Sequence, residues 1–342
     1  MNSPNARRRF LCGAGLVGLG LAAGAVAAPS VARASTKAIR IASNPGLENA
    51  TLNTIMTQQG YFSRFGAHAT IVEAPGAAGP FDAIVAGEAD VCMVSAYNLV
   101  LQRIERGAPL KLIGAGMRKI DLTLFAKPNA IVDLAGLEGK VVAVGPRMGL
   151  LNTLVLQLLK EKRIDAQRIR FVDKGSNDEC YDAVVRGEAD ACCASISHLD
   201  AAGGLVPIPE SAMWQALPQC VYQTAYASTY AIAQQHDQLV AVMAAYGALY
   251  DFLMTAESRD AFFAARKQAQ AQAQKPFQPA SAEAVWTFNQ QQRPWSRNLA
   301  LSHEDVNYLQ DMYVGLGTLG RKQPFDELAD MSAAHAAAHW PD

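Results

Sequence analysis

The chain has 342 residues, half of them apolar, 18% charged, with a formal net charge of −1. That length exceeds one ordinary domain and suits two packed ones. No long single-sign charge run is present, which argues against a disordered chain.

The first thirty-four residues read as a leader. Arg7-Arg8-Arg9-Phe10-Leu11 has the order of a twin-arginine export signal. The run Cys12–Ala28 that follows is apolar but rich in Gly and Ala, so it is a poor membrane span. Ala32-Arg33-Ala34 offers a small-x-small cleavage site, and cleavage is expected after Ala34. An uncleaved anchor helix is the alternative; Cys12 precedes the apolar run, which argues against a lipoprotein. Removing residues 1–34 takes away four arginines and no acid, so the net charge moves from −1 to −5. That balance argues against a nucleic-acid partner. The expected location is the periplasm. Twin-arginine export carries folded proteins, so no disulfide is required for folding. The remaining cysteines, Cys92, Cys180, Cys192, Cys193 and Cys220, show no C-x-x-C spacing and read as small buried apolar residues.

The next feature is a repeat. DAIVAGEADVCMVS (Asp82–Ser95) returns one hundred residues later as DAVVRGEADACCAS (Asp182–Ser195), with nine of fourteen positions identical. The match extends upstream. ATIVEA (Ala69–Ala74) answers IRFVDK (Ile169–Lys174), LNTI (Leu52–Ile55) answers LNTL (Leu151–Leu154), and IRIASNPG (Ile39–Gly46) answers VVAVGPRMG (Val141–Gly149). The unit is strand, helix, strand, helix, strand, over roughly 38–97 and 139–198. IRIA and VVAV are short runs without alternation, as for strands buried on both faces. Helices are expected over Glu48–Gln59, Asn152–Lys162, Phe81–Ala86 and Tyr181–Arg186, the last two stopping at Gly87 and Gly187. Such alternation implies an α/β fold with parallel strands.

GEAD then reads as a helix stop and strand start, used once per unit and structural. In open parallel sheets ligands meet the carboxyl ends of the strands. Candidate binding residues therefore lie at Ser43-Asn44, Ser95-Ala96-Tyr97-Asn98, Gly145-Pro146-Arg147-Met148, Ser176 and Ser195-Ile196-Ser197-His198. Helix starts there favour anions. Arg147 is the first candidate to pair with a carboxylate or sulfonate and Arg118 the second; either also fits a surface arginine. Tyr97 suits the face of a planar solute or, alternatively, the core.

Lys111–Pro128 and Gln219–His236 both read as strand regions and as two crossings between the halves. Leu239–Thr255 is a helix with an apolar stripe. Lys267–Pro279 is compositionally biased and ends in a loop. Further helices begin near Ser281 and at Ser302, the latter with Asp305 in its first turn. FDELADMSAAHAAAH (Phe325–His339) reads as a last helix. It sets His335 and His339 one turn apart, a spacing that can bind metal. No third ligand accompanies the pair, so no metal and no cofactor are expected.

Together, QQGYFSRFGAHATIVEA, FDAIVAGEADVCMVSA, DLAGLEGKVVAVGPRMG and YDAVVRGEADACCAS resemble the periplasmic solute-binding proteins for nitrate, sulfonates, taurine and thiamine precursors. The resemblance runs from about 38 to 330. It implies the type II periplasmic-binding fold: two doubly wound α/β lobes, a cleft between them and two hinge crossings. Expected boundaries are 35–122 with 225–342 for lobe one and 123–224 for lobe two. The implied role is capture of a small organic solute, an organic anion or an aromatic heterocycle, by a monomer. Delivery to the permease and ATPase subunits of an ABC importer follows, without catalysis. Two departures bear on the solute. Gly149 is followed by Leu150-Leu151, where sulfonate and nitrate binders carry Ser or Thr, which weighs against inorganic oxyanions. The thiamine-pyrimidine synthases of this fold carry a cysteine cluster after lobe two, where only Cys220 stands. Such a synthase, a lyase of menaquinone-precursor chemistry, or a sensing subunit without transport are the alternatives.

Overall fold

A computed structural model describes residues 38–75, 79–199, 201 and 203–340, the side chain of Asn98 excepted. The expected leader over 1–34 lies outside the described residues. The first half runs β1 (Ile39–Ser43), α1 (Leu47–Gln58), α2 (Tyr61–Arg64), β2 (Ala69–Glu73), α3 (Gly79–Val85), β3 (Val91–Ala96), α4 (Tyr97–Glu105) and β4 (Leu110–Ala115). The second runs β5 (Leu122–Ala126), β6 (Val141–Val144), α5 (Leu150–Glu161), β7 (Arg170–Asp173), α6 (Asn177–Val185) and β8 (Ala191–Ser195). A 3₁₀ turn at Ile196–His198, β9 (Val206–Pro207) and α7 (Met213–Ala216) complete it. The chain returns through β10 (Gln223–Ser228) to α8 (Thr229–Gln234), α9 (His236–Leu253), α10 (Arg259–Gln272), α11 (Pro279–Gln292), α12 (His303–Gly315), α13 (Phe325–Leu328) and α14 (Ser332–Ala337). Among the described residues no single helix is long and apolar enough to cross a membrane.

Two five-stranded mixed sheets result, in the orders β2-β1-β3-β10-β4 and β7-β6-β8-β5-β9. Strands β1, β2 and β3 are parallel, as are β6, β7 and β8. Strand β10 runs antiparallel beside β3, and β5 antiparallel beside β8. This architecture is the expected α/β fold, with the central strands β3 and β8 almost wholly buried.

The repeated GEAD has a shared physical task. Gly87 and Gly187 both take left-handed backbone, at φ 73° and 79°, which lets each helix stop at low cost. Asp90 then accepts the N–H of Arg40 at 2.8 Å, and Asp190 accepts the N–H of Val141 at 2.8 Å. Each aspartate satisfies a backbone donor at the start of the neighbouring strand. In the first half the device is stronger: Arg40 also donates from Nε and from its terminal nitrogen, at 2.9 and 2.8 Å.

The registers place the crossings. Gln223 lies opposite Ala96, so β10 begins where β3 ends. Leu122 lies opposite Ser195, so β5 begins where β8 ends. The chain therefore leaves and enters each sheet at the carboxyl ends of its parallel strands. The crossing 116–121 is held by Tyr222 N–H and Gln223 N–H, which both donate to the Met117 carbonyl. A third segment, unforeseen in the sequence, runs beside it. Arg118 N–H donates to Pro294 O, Ser296 N–H to Gly116 O, and Met117 bridges Trp295. Gly114 lets this segment approach, since a Cβ there would sit 2.7 Å from the Leu299 carbonyl oxygen.

The tail differs from expectation. Phe325–His339 is two short helices, broken where Ala329 bridges Leu112 and Asp330 N–H donates to the Leu112 carbonyl. Pairing with the open edge of β4 outweighs helix continuation there, and it covers that edge. Over Gln219–His236 only Gln223–Ser228 is strand; Thr229–Gln234 turns helical behind a Ser228 cap. The five cysteines are free and buried.

Candidate functional site

The carboxyl ends of both sheets, the two crossings and the first turns of α1 and α6 form one neighbourhood. Ser43 closes β1, nearly buried, and accepts from Asn53 Nδ2 at 2.8 Å. Asn44 accepts the N–H of Gly46 on its carbonyl and shapes the turn into α1. A cavity of only about 10 Å³ lies there, lined by Ser43, Asn49, Asn53, Met93 and Tyr246 among others. Ser95 is the penultimate residue of β3 and is 5% exposed. Tyr97 is wholly buried, so it takes the core position and not an open wall of the site. Burial pushes its hydroxyl far up from the usual phenol range. Asn98 follows it in α4, its side chain outside the described residues.

In the second half, Gly145–Gly149 forms the turn between β6 and α5. Arg147 is exposed, and among the described residues it has no ion pair. Met148 is exposed and takes left-handed backbone at φ 65°, its N–H donating to Asn152 Oδ1. Ser176 caps α6: it accepts the N–H of Glu179, whose carboxylate accepts the N–H of Ser176 in return. Its hydroxyl is thus committed to the helix start. Ser195 donates to Asp121 Oδ2 at 3.1 Å and accepts the N–H of Ser197. Ser197 reaches His198 Nδ1. Arg118 is engaged elsewhere: it meets Asp305 at 2.6 Å and the Ala300 carbonyl, fastening the first crossing to the start of α12.

Residues that the sequence reading passed over stand at the centre. Glu48, in the first turn of α1, meets Arg266 of α10 at 3.4 Å. Arg266 is 2% exposed, and its Nε has no hydrogen-bond partner. Glu48 Oε1 is likewise shielded from water and without a partner. Burial raises the Glu48 pKa; Arg266 pulls it down and nearby Asp121 raises it again. Asp121, in the first crossing, is raised by burial, while Ser195 and Tyr222 oppose the shift and Arg266 helps them. Tyr222, at the end of the second crossing, is pushed well above the ordinary phenol range by burial and by Asp121. Asn177, at the start of α6, leaves a buried Oδ1 unpartnered. The acid in Lys119-Ile120-Asp121-Leu122, set between two strand-like stretches, was a readable signal. The Glu48–Arg266 pair spans 218 positions and was not.

Helix α11 adds contacts to the second half. Phe288 packs edge-on to Trp214 of α7 at 5.2 Å. A groove of about 430 Å³ runs between Ile196, Leu199 and Trp214 on one side and Ala284, Thr287 and Phe288 on the other. Lys275, just before α11, pairs with Asp178 of α6 at 3.1 Å, and His198 approaches the same carboxylate at 3.3 Å.

Comparison with protein families gives a match over residues 51–256 to the model described as NMT1/THI5 like. The chain belongs to the NMT1/THI5-like family. Among solved structures, this NMT1/THI5-like chain is similar to the periplasmic aliphatic sulphonate binding protein SsuA from Escherichia coli. That match has TM-score 0.69 and 16% identity, covering 86% of this chain and 92% of the other. It is also similar to the alkanesulfonate-binding protein SsuA from Xanthomonas axonopodis pv. citri bound to MOPS, with TM-score 0.64 and 19% identity, covering 82% and 93%. The periplasmic nitrate-binding protein NrtA from Synechocystis PCC 6803 matches with TM-score 0.66 and 11% identity, covering 88% of each chain. A search of curated proteins finds no match. The shared feature at these identities is the periplasmic-binding fold, two open α/β sheets with flanking helices.

Proposed function

We propose that this NMT1/THI5-like chain is the solute-binding protein of an ABC importer, exported to the periplasm behind a twin-arginine signal. Two lobes, 35–122 with 225–342 and 123–224, close on a small organic solute and present it to a membrane permease driven by an ATPase. The observation that carries this reading is that the chain passes between the two sheets at the carboxyl ends of the parallel strands in both, the arrangement a hinge needs. Family membership and the solved binding proteins of the same fold support it. Ser43, Asn44, Ser95, Ser195 and Ser197 would line the site from the two sheet ends. Arg147, exposed on its turn, would swing onto the solute as the lobes close. The solute is an organic anion or an aromatic heterocycle. Micromolar capture corresponds to about 8 kcal/mol, part of which drives the hinge.

A binding role without catalysis also fits the thiols. Burial pushes Cys92 up to about 11 and Cys220 up to about 12. Cys180 is held up at about 12 by burial, then by Asp173. A nucleophilic cysteine needs the opposite shift. A thermal-shift screen of sulfonates, aromatic acids, pyrimidines and flavin precursors tests the reading, because a ligand that binds the folded form raises its Tm. The expected result is a hit that weakens about tenfold in Arg147→Ala. A screen with no hit, or turnover of a hit into product, would contradict it.

A further inference from the structure

Away from the crossings, the returning helices meet the second half at the start of α6 and along α11. Lys275 Nζ lies 3.1 Å from Asp178 Oδ2. Phe288 packs edge-on to Trp214 at 5.2 Å. Both contacts span the proposed lobe boundary, because Lys275 and Phe288 belong to 225–342 and Asp178 and Trp214 to 123–224.

Each partner of the ion pair is positioned from its own side. The loop carrying Lys275 is pinned to the end of α10: Lys275 N–H donates to the Gln270 carbonyl at 2.8 Å, and Gln278 N–H to Gln270 Oε1 at 3.3 Å. Helix α10 is in turn fixed to α1, where Arg266 meets Glu48 and Gln58 Nε2 donates to Gln268 Oε1 at 2.8 Å. Asp178 stands in the first turn of α6, behind the Ser176–Glu179 capping box. His198 Nε2 lies 3.3 Å from its Oδ1. The His198 ring is stacked on Tyr181, with Nδ1 3.2 Å from the Ser195 carbonyl oxygen. His198 first and Lys275 second pull the Asp178 carboxyl below the usual carboxylate range, against the effect of burial. An exposed ion pair usually contributes little, because two side chains must be ordered to make it. Here the backbone under Lys275 and the carboxylate of Asp178 are already held.

Helix α11 has two unlike faces. Toward the returning helices it is hydrogen-bonded. Glu283 accepts from Arg259 at 2.6 Å, Trp286 Nε1 donates to Ser258 Oγ at 3.2 Å, and Gln290 Nε2 donates to the Leu253 carbonyl at 3.0 Å. Toward the second half it offers Phe288, beside the groove of about 430 Å³ that opens between α11 and Ile196, Leu199 and Trp214. A contact with that much open space has fewer dispersion partners to lose on parting than a filled core.

Resting on the two-lobe reading above, we propose that the Lys275–Asp178 pair and the Phe288–Trp214 contact form a latch that holds the lobes in this arrangement and releases when α11 parts from the second lobe. The 275–278 loop and α11 stay with the returning helices, and parting begins at the groove. Losing the latch shifts the balance between lobe arrangements and barely touches folding.

Spin-label distances on the folded, solute-free protein test this. The five native cysteines are buried, so labels attach selectively at Lys267→Cys on α10 and Asp182→Cys on α6, both exposed positions. The expected result is one dominant separation and a longer one. The longer one should grow about fivefold in Lys275→Glu and about threefold in Phe288→Leu. Lys275→Arg should match the parent, and high salt should imitate Lys275→Glu in part. Lys322→Glu breaks the exposed pair with Asp311 inside one half and should leave the distances unchanged. Denaturation midpoints should stay close to the parent's in every variant. Parent-like distances in both Lys275→Glu and Phe288→Leu would overturn the latch, as would an equal shift in Lys322→Glu. Either result leaves the solute-binding reading standing, since the thermal-shift screen decides that on its own.

Discussion

The two halves agree at one edge of their sheets and part at the other. At the strand starts, Gly87-Glu88-Ala89-Asp90 and Gly187-Glu188-Ala189-Asp190 repeat letter for letter and perform the same task. At the strand ends, Ser43-Asn44-Pro45-Gly46 corresponds to Gly145-Pro146-Arg147-Met148-Gly149, and little is shared. The lesson is physical. Starting a buried parallel strand has one cheap solution, a carboxylate over a backbone N–H at its start. The opposite edge carries no such common demand, so residues there are free to answer to a ligand.

Within the agreeing edge, one difference gives the largest expected effect. Asp90 is buried and holds Arg40 through backbone and side chain, whereas Asp190 holds a backbone N–H alone. Asp90→Ala should cost about 3 kcal/mol, the scale for breaking a buried ion pair. Asp190→Ala should cost about 1 kcal/mol, one hydrogen bond. Urea denaturation of both variants measures the gap; equal losses would break the comparison.

At the diverging edge, Gly114→Val should come next, at about 2 kcal/mol, because its Cβ would press on the Leu299 carbonyl and displace the segment beside the first crossing. The same denaturation experiment reads it, and a neutral result would mean the segment moves aside freely.

The acids at the diverging edge predict a pH effect of opposite sign to ordinary salt-bridged carboxylates. Glu48 and Asp121 have folded pKa values raised chiefly by burial, so the native state binds more protons than the unfolded chain. The empty protein should lose stability as pH rises from their ordinary values, 4.5 and 3.8, toward the raised ones. Asp121→Asn should flatten that slope and raise Tm at neutral pH. A lower Tm for the variant would mark Asp121 as a purely structural partner. The smallest effect belongs to Lys275→Ala. Its pair with Asp178 is largely exposed, so the loss should stay under about 1 kcal/mol.

The fold was legible because duplication made it so. The strand runs, the glycine stops and the Ser302 cap with Asp305 appear in the structure at or near their expected places. The candidate site was legible in part. Ser43, Ser95 and Ser195 were readable because strand ends follow from strand positions. Glu48 opened an expected helix, and Arg266 lay between the expected Leu239–Thr255 helix and the biased Lys267–Pro279 stretch. Only packing of α1 on α10 brings them together. Tyr97 and Arg118 illustrate the reverse: their side-chain chemistry suited a ligand, but the core and Asp305 hold them. The broken last helix had the same cause, a distant partner strand competing with local propensity.

Hydrogen–deuterium exchange with and without the solute that raises Tm tests the clamp most directly. Protection should concentrate at 43–48, 95–98, 116–122, 145–150, 195–198 and 220–223, on both halves at once. Protection centred on the strand starts at 87–90 and 187–190, or confined to one half, would contradict a solute held between the carboxyl ends of the two sheets.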